Sequence, residues 1–530
     1  MSSRRVFTNV GVILIAGLVT KLFGFVREVL VANSFGASVE TDAFLVAFSI
    51  PTLLFVSLGS ALGTIFIAVF SEYLTRRGRE EAFELATSLL NLLILASLGL
   101  TLLGIALAPQ IVSLLAPGFE GYSFDLTVKM TRIMFPLLVV LVLTYLQTGI
   151  LQSFEQFVIP AVLSIPYNLL LIVFLLFFDR YFGIVGFAVT TVIAWSLQFI
   201  IQVWPVGRTG YRYRPRLDWG HPGVRRVLLL SGPVIAGGII QQLNSFVNQA
   251  LASDMLGGSV SAFNFSYKLY FIATSVFALA VTTFFFPSLS RLAAQRDLKA
   301  LTGSLDQSLR MVAVLLVPVM LGFIFLRLPL VEVVLERGAF THEASLMTSG
   351  ALFYFALGAL FFGVQEVLNK GFYALQDSRT PMYLAITSVL VNIGLSLALA
   401  RPMGLNGLAL ANTLATAVLA ALLALMLRQR LRDMAAETPA AVSGTAAEQP
   451  EPAGAATDRE HSPAAFLLRL ALAGAVTGLA LWFSSALFFT RLALPGWAGL
   501  TLALGVSGLA YAAALAALGL VSPRKILARG

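Results

Sequence analysis

The sequence of 530 residues contains no cysteine and few charged residues, which make up 12% of the chain. The absence of cysteine excludes a disulfide framework, a thiolate metal site and a thiol nucleophile. Only three histidines occur, and they are far apart in the chain, at His221, His342 and His461. We therefore expect neither a metal site nor a cofactor.

The common motifs of energy-coupled and hydrolytic enzymes are also absent. The sequence contains no G-x-x-x-x-G-K-[ST] phosphate loop, no H-E-x-x-H zinc motif and no G-x-S-x-G nucleophile elbow. No polar region is long enough to form an ATPase domain. We do not expect an enzyme, and any active transport must draw on the membrane potential, an ion gradient or substrate supply.

Apolar residues dominate what is present. They account for 58% of the chain, and the mean hydropathy is +0.89, whereas a soluble domain is about half apolar and about a quarter charged. Lipid must therefore solvate many side chains. The formal net charge of +9 lies mainly in short segments between apolar runs, where it fixes topology, so nucleic acid is not an expected partner.

The apolar runs predict an all-α polytopic membrane protein. A hydrocarbon core of ~30 Å requires about 20 apolar residues per helix. By this measure the sequence has about 14 transmembrane helices. We number them as spans 1 to 14, at residues 8–35, 42–72, 84–108, 128–151, 158–178, 183–205, 227–252, 261–286, 305–327, 345–368, 381–400, 405–427, 464–486 and 493–520.

Lysine and arginine alternate between the two sides of these spans. If the N-terminus is cytoplasmic, inside segments hold most basic residues, with the largest group in 207–226. Outside segments hold mainly Arg180, Arg337, Arg401 and Arg491. This asymmetry predicts that both termini are cytoplasmic.

Spans 1–6 and 7–12 resemble each other at nearly fixed spacing. Gly36 corresponds to Gly257 and Pro160 to Pro381, both 221 residues later, and Asp42 corresponds to Ser261 at a shift of 219. Because each repeat contains an even number of spans, both have the same orientation. The pattern predicts two parallel six-helix lobes related by a pseudo-twofold axis along the membrane normal, an arrangement suited to alternating access.

These features divide the chain into six segments. We predict an N-terminal lobe at 1–206, a basic cytoplasmic linker at 207–226, a C-terminal lobe at 227–432, a disordered linker at 433–463, two extra helices at 464–521 and a cytoplasmic tail at 522–530.

Ionisable residues inside predicted spans are candidate site residues. Each costs roughly 2.5–3.5 kcal/mol on insertion scales, so it usually faces water or a partner. Span 1 contains Lys21, Arg27 and Glu28, and span 8 contains Lys268. Together they give a predicted cavity a net charge of +2, which suits an anionic substrate such as a diphosphate. Two alternatives remain: Glu28 pairs internally with Arg27 or Lys21, or Lys21 extends towards the cytoplasmic interface.

Two further groups of polar residues have more than one interpretation. Asp42 opens span 2, where a carboxylate favours the helix dipole, so capping is the simplest role. Gln242, Asn244 and Asn248 belong to a polar stripe on span 7, with Gln249 beside them. The stripe is expected either to line the cavity or to join helices through hydrogen bonds.

Five segments together are characteristic. They are KLFGFVREVLVANSFGASVETDAFLVAF (21–48), FFFPSLSRL (284–292), LERGAF (335–340), GFYALQDSRTP (371–381) and GLNGLALANTL (404–414). With these segments the chain resembles the MurJ (MviN) family of lipid II flippases, in the multidrug/oligosaccharidyl-lipid/polysaccharide exporter superfamily. The resemblance implies fourteen spans, with the last two forming a groove for the lipid tail.

The resemblance also implies site residues. The family's cavity arginines fall on Lys21, Arg27 and Lys268, and its acids in spans 1 and 2 fall on Glu28 and Asp42. Two of the three arginines are thus lysines here, which keep the charge but lose the bidentate fork for phosphate. The carboxylates of a sodium site described in some members are replaced by Asn248, Asn392 and Ser396, which argues against sodium coupling.

The function implied is the movement of lipid II, an undecaprenyl-pyrophosphate-linked peptidoglycan precursor, from the inner to the outer leaflet of the bacterial inner membrane. Expected partners are lipid II, membrane lipids and proteins of cell-wall synthesis. Two alternatives are a polysaccharide-lipid or drug exporter of the same superfamily and a non-transporting scaffold. Neutralising Lys21 and Lys268 separates these classes, because a scaffold would keep its function.

Overall fold

A computed structural model describes residues 3–214, 218, 220–437, 462–492 and 494–520. Within these ranges the chain is helical and contains no strand. Most of the predicted linker 433–463 and the tail 522–530 lie outside the described residues. The α-helices are Ser3–Phe35 (α1), Val39–Ala61 (α2), Ile67–Arg76 (α3), Arg79–Ala106 (α4), Ala108–Leu115 (α5), Tyr122–Met134 (α6), Leu137–Ser153 (α7), Val158–Val162 (α8), Ser164–Phe177 (α9), Asp179–Arg208 (α10), Pro222–Ser253 (α11), Ser259–Ala294 (α12), Leu298–Phe325 (α13), Arg327–Leu335 (α14), His342–Leu357 (α15), Ala359–Ala374 (α16), Arg379–Met403 (α17), Leu405–Glu437 (α18), Pro463–Ser485 (α19) and Gly496–Ala517 (α20).

The helices confirm the predicted fold class. Among the described residues, eleven helical segments are long and apolar enough to cross a membrane, and the count is twelve if the pair α15 and α16, bent by 45°, is one span. Helices α1 and α2 occupy the positions of predicted spans 1 and 2. The total of fourteen spans stays a prediction.

Helix breaks occur where the local sequence disfavours a continuous helix. Predicted span 4 is divided between α6 and α7 at Pro136, because proline cannot donate an intrahelical hydrogen bond. Near the start of α10, Gly183 has a φ of +55°, a left-handed conformation that interrupts the helix. The break at Pro136 was not predicted, whereas the one at Gly183 coincides with the predicted start of span 6.

Contacts divide the chain into two compact units. Unit 1 comprises residues 1–262 and 335–344, and unit 2 comprises residues 263–334 and 345–530. The first division falls just after the start of α12, and not in the basic linker at 207–226, because α11 packs along α2 within unit 1. The predicted lobe boundaries at 206 and 227 stay a prediction.

Each unit has its own apolar core. In unit 1, Phe66 and Phe70 pack with Leu85 and Leu89 of α4. In unit 2, a cluster on α12, α13, α16 and α18 includes Phe372. Helices α19 and α20 dock on α13 of the same unit through a third cluster, where the Tyr511 hydroxyl donates a hydrogen bond to the Val314 carbonyl at 2.7 Å.

Candidate functional site

Arg27 and Glu28 form an ion pair on α1. Nη2 of Arg27 lies 2.5 Å from Oε1 of Glu28, and their side chains are only 21% and 14% exposed. Of the interpretations open from the sequence, the structure thus shows Glu28 paired with Arg27. A charge-assisted hydrogen bond of this kind stabilises a cation that would otherwise be costly in an apolar environment.

The ring of Tyr167, which packs against Trp195, contacts the same arginine. The guanidinium carbon of Arg27 lies 5.6 Å from the centre of the Tyr167 ring on α9. Tyr167 is buried, and its ring centre lies 5.2 Å from that of Trp195 on α10. Neither aromatic residue was predicted from the sequence, because the two lie on different spans and no spacing links them to Arg27.

The two lysines have different environments. Lys21, on α1, is exposed. Lys268, on α12, is partly buried. Lys21 belongs to unit 1 and Lys268 to unit 2, so their meeting in one chamber stays a prediction.

Asp42 caps the start of α12. The Gly258 amide donates to Oδ2 of Asp42 at 2.7 Å, and the Ser261 amide donates to Oδ1 at 2.6 Å. The side chain is buried. The sequence predicts only that Asp42 favours the dipole of its own helix, α2. In the structure its carboxylate also accepts hydrogen bonds from free amides at the start of α12. Direct contact between Asp42 and a substrate stays a prediction.

The ends of α1 and α11, the first helices of the two repeats, each pack against a loop that contains a glycine. The Ala339 amide donates to the Asn33 carbonyl at 2.8 Å, and a Cβ on Gly338 would lie 2.4 Å from that oxygen. In the other repeat, the Gly118 amide donates to Oγ of Ser253 at 3.3 Å, and a Cβ on Gly118 would lie 2.3 Å from the Ser253 carbonyl oxygen. Each repeat therefore supplies the loop that covers the other repeat's helix end.

One member of the polar stripe on α11 joins two helices, as one of the two interpretations expects. Oγ of Ser49 on α2 donates to Oε1 of Gln249 at 2.8 Å. Asn244 is partly buried, and Asn248 is buried. The cavity-lining role of Gln242, Asn244 and Asn248 stays a prediction.

The positions related to a sodium site hold neutral side chains. On α17, Oγ of Ser396 donates to Oδ1 of Asn392 at 3.1 Å, and both residues are buried. A hydroxyl and an amide that bond each other carry no net charge to balance a cation. The absence of sodium coupling stays a prediction.

An apolar groove runs along the last two helices. It lies within unit 2, between α13 and the pair α19 and α20, and has a volume of about 510 Å³. That this groove holds a lipid tail, as the family resemblance implies, stays a prediction. Its lining includes Phe277, Val314, Pro318, Leu481, Leu504 and Tyr511.

Comparisons with known proteins agree in sequence and in fold. Residues 31–490 match the family model described as lipid II flippase MurJ. The lipid II flippase MurJ of Burkholderia cenocepacia is 31% identical over 383 residues, which cover 71% of this chain and 74% of the relative.

Two solved structures share the fold. One is titled "Lipid II flippase MurJ, inward closed conformation"; at 22% identity it has a TM-score of 0.77, with 95% of this chain and 98% of that chain covered. A multidrug resistance MATE family transporter of the MOP superfamily, in an inward-facing conformation, has a TM-score of 0.67 at 14% identity and covers 81% of this chain and 99% of its own. With their many apolar helices, the chain and its relatives are multi-pass proteins of the bacterial inner membrane. The chain belongs to the lipid II flippase MurJ family.

Proposed function

We propose that this protein moves lipid II from the inner to the outer leaflet of the bacterial inner membrane by alternating access. The observation that carries the proposal is the family match over residues 31–490, which extends from the end of α1 to the end of the π-helical turn Ala486–Arg491 after α19. In this proposal both chain termini are cytoplasmic, as the distribution of basic residues predicts.

Lys21, Arg27 and Lys268 bind the pyrophosphate in this mechanism. Arg27 is held ready by Glu28 at 2.5 Å and by the ring of Tyr167. An incoming pyrophosphate competes with the Glu28 carboxylate for the same guanidinium, and it offers stronger, multiply charged acceptors. When the substrate leaves, Glu28 takes its place again, which favours release and avoids an unpaired buried cation.

The lipid tail is held separately from the headgroup. The groove along α13, α19 and α20 is almost entirely apolar, so it can hold an isoprenoid chain without desolvating polar groups. Its volume of about 510 Å³ accommodates a part of such a chain, and the remainder lies in the bilayer.

The membrane potential acts on the charged cavity. One elementary charge crossing 100 mV is worth ~2.3 kcal/mol. Because the inside of a bacterial cell is negative, this potential favours the return of an empty, positively charged cavity to the cytoplasmic side. The mechanism therefore needs no nucleotide hydrolysis and no covalent step.

The test is a depletion experiment in cells. When the native flippase is depleted and this protein is expressed, lipid II should become accessible at the outer leaflet and growth should resume. Accumulation of lipid II on the cytoplasmic side, with this protein present in the membrane, would overturn the proposal. Rescue that survives the double change of Lys21→Ala and Lys268→Ala would instead identify a scaffold.

A further inference from the structure

Unit 1 contains a polar pocket that continues into an apolar groove. The polar pocket, of about 430 Å³, lies among the end of α1 and the beginnings of α2, α6 and α10. The groove, of about 530 Å³, lies between α9 and α10. Phe182 and Val185 line both, so the two spaces adjoin and together have the shape of an amphiphile site.

The groove matches one hydrocarbon chain in length and polarity. Along α10 it runs from Val185 to Ile193, about 12 Å at 1.5 Å per residue. This is most of the ~15 Å hydrocarbon depth of one leaflet. Gly186 lines the groove, and a Cβ there would lie 2.3 Å from Cβ of Phe182, so this position requires glycine.

The polar pocket offers groups for a negative and a positive charge. The interruption at Gly183 makes α10 restart at Ile184, and the first amides of a helical segment lack carbonyl partners and favour an anion. Glu40, in the first turn of α2, also lines the pocket and carries a negative charge. Oγ of Ser34, another lining residue, is buried and has no hydrogen-bond partner within the described ranges.

We propose that this pocket binds a membrane phospholipid with a primary-ammonium headgroup, such as phosphatidylethanolamine. Its phosphate lies against the amides at Ile184, its ammonium donates to the Glu40 carboxylate, and one acyl chain fills the groove along α10. The ammonium requirement follows from the acceptors, because a trimethylated choline headgroup has no N–H to donate. The inference rests on the membrane-spanning fold and is independent of lipid II.

The first test measures lipid selectivity. The purified full-length protein is titrated in detergent with dioleoyl phosphatidylethanolamine, phosphatidylcholine or phosphatidylglycerol, and bound lipid is counted by native mass spectrometry. We expect the ethanolamine lipid to bind about tenfold more tightly than the other two, in line with one charge-assisted hydrogen bond. Equal binding of all three lipids would overturn the proposal.

Variants locate the site. Glu40→Gln should remove the preference for ethanolamine over choline, whereas Glu120→Gln, an exposed acid outside the pocket lining, should leave it unchanged. Ile193→Trp should block the groove and weaken binding of the ethanolamine lipid, whereas Leu102→Trp, on an equally exposed lipid-facing position of α4, should not. Equal effects of a variant and its control would contradict the assignment, and unchanged thermal unfolding excludes misfolding as the cause.

A soluble headgroup separates the two halves of the site. Glycerophosphoethanolamine has the same phosphate and ammonium but no acyl chain. It should displace the bound lipid only at a concentration at least about a hundredfold higher, because it gains nothing from the groove. Displacement at equal concentration would show that the groove contributes nothing, and would overturn its part in the proposal.

Discussion

The carboxylate of Asp42 lies 2.6 Å from the amide nitrogen of Ser261, and these two residues occupy corresponding positions in the two sequence repeats. The duplicated helix starts therefore face each other, and they have diverged in chemistry. The first repeat kept an acid that caps the second repeat's helix, while the second repeat has a serine whose amide is the donor. This contact explains a buried carboxylate that the sequence associated only with its own helix.

The first prediction concerns this cap. Asp42→Asn keeps one acceptor oxygen but loses the charge and the second acceptor, so we expect a loss of about 1–2 kcal/mol in the free energy of unfolding. Denaturation of the purified protein measures the change. Glu81→Gln is the control, because Glu81 lies in an exposed ion pair with Arg77 that is worth little. A loss no larger than that of the control would contradict the capping role.

The second prediction concerns the glycine loops. Gly338→Ala places a Cβ 2.4 Å from the Asn33 carbonyl oxygen at a position whose φ is +57°, so we expect a destabilisation of about 2 kcal/mol or more. Gly303→Ala is the matched control, because Gly303 lies in α13 with open space at its Cβ position and alanine favours a helix. Thermal unfolding compares the two variants. Similar unfolding midpoints would contradict close packing of the loop against the Asn33 carbonyl.

The third prediction concerns Lys268. Lys268→Ala removes a cation from the proposed pyrophosphate site, so transport of lipid II should fall at least about tenfold while the protein still reaches the membrane. Lys268→Arg keeps the charge and should retain transport. Lys299→Ala, an exposed lysine at the start of α13, is the neutral control. Normal growth of depleted cells on Lys268→Ala would remove this residue from the mechanism.

The fourth prediction concerns the ring beneath Arg27. Tyr167→Leu removes the aromatic face, and because a cation–π contact is worth about 0.5–2 kcal/mol, we expect lipid II affinity to fall by roughly 2- to 30-fold. Tyr167→Phe keeps the ring and should bind nearly as the native protein does. Affinity is measured on purified protein with labelled lipid II. A Phe variant as weak as the Leu variant would assign the effect to the hydroxyl instead.

The fifth prediction concerns pH and the segment before α17. Burial alone would raise the pKa of the Asp377 carboxyl. Hydrogen bonds from the Thr380 hydroxyl and amide and the Arg379 amide, with the charge of Arg430, outweigh burial and hold that pKa below its ordinary value of 3.8. A lowered pKa contributes stability above that ordinary value, and the contribution is lost as the pH falls through the folded-state pKa.

Asp377→Asn should therefore lower the unfolding temperature at pH 7 and have a shrinking effect as the pH falls below about 3.8. The exposed Asp433→Asn serves as the reference. A difference between Asp377→Asn and the native protein that persists unchanged into strong acid would rule out the carboxylate's charge as its source.

Hydropathy predicted the membrane fold well, because lipid imposes length and composition on every helix. The Arg27–Glu28 pair was among the alternatives that adjacent positions on one helix allow. Tyr167 could not be predicted, because its contact with Arg27 depends on how α1 packs against α9, and hydropathy does not encode helix packing. The partner of Asp42 was missed for a related reason: alignment of the repeats pairs Asp42 with Ser261 by position and carries no information on distance.

Each repeat contributes a glycine loop that packs on the other repeat, and this limits where the protein can be divided. The Gly338 loop packs against Asn33 of α1, and the Gly118 loop packs against Ser253 of α11. If the chain were cut in the basic segment between α10 and α11, each piece would lose the glycine loop that packs against its first helix. Neither piece would then be a self-sufficient unit, however complete its six spans. A single repeat on its own would lack this loop contact unless a second copy supplied the loop.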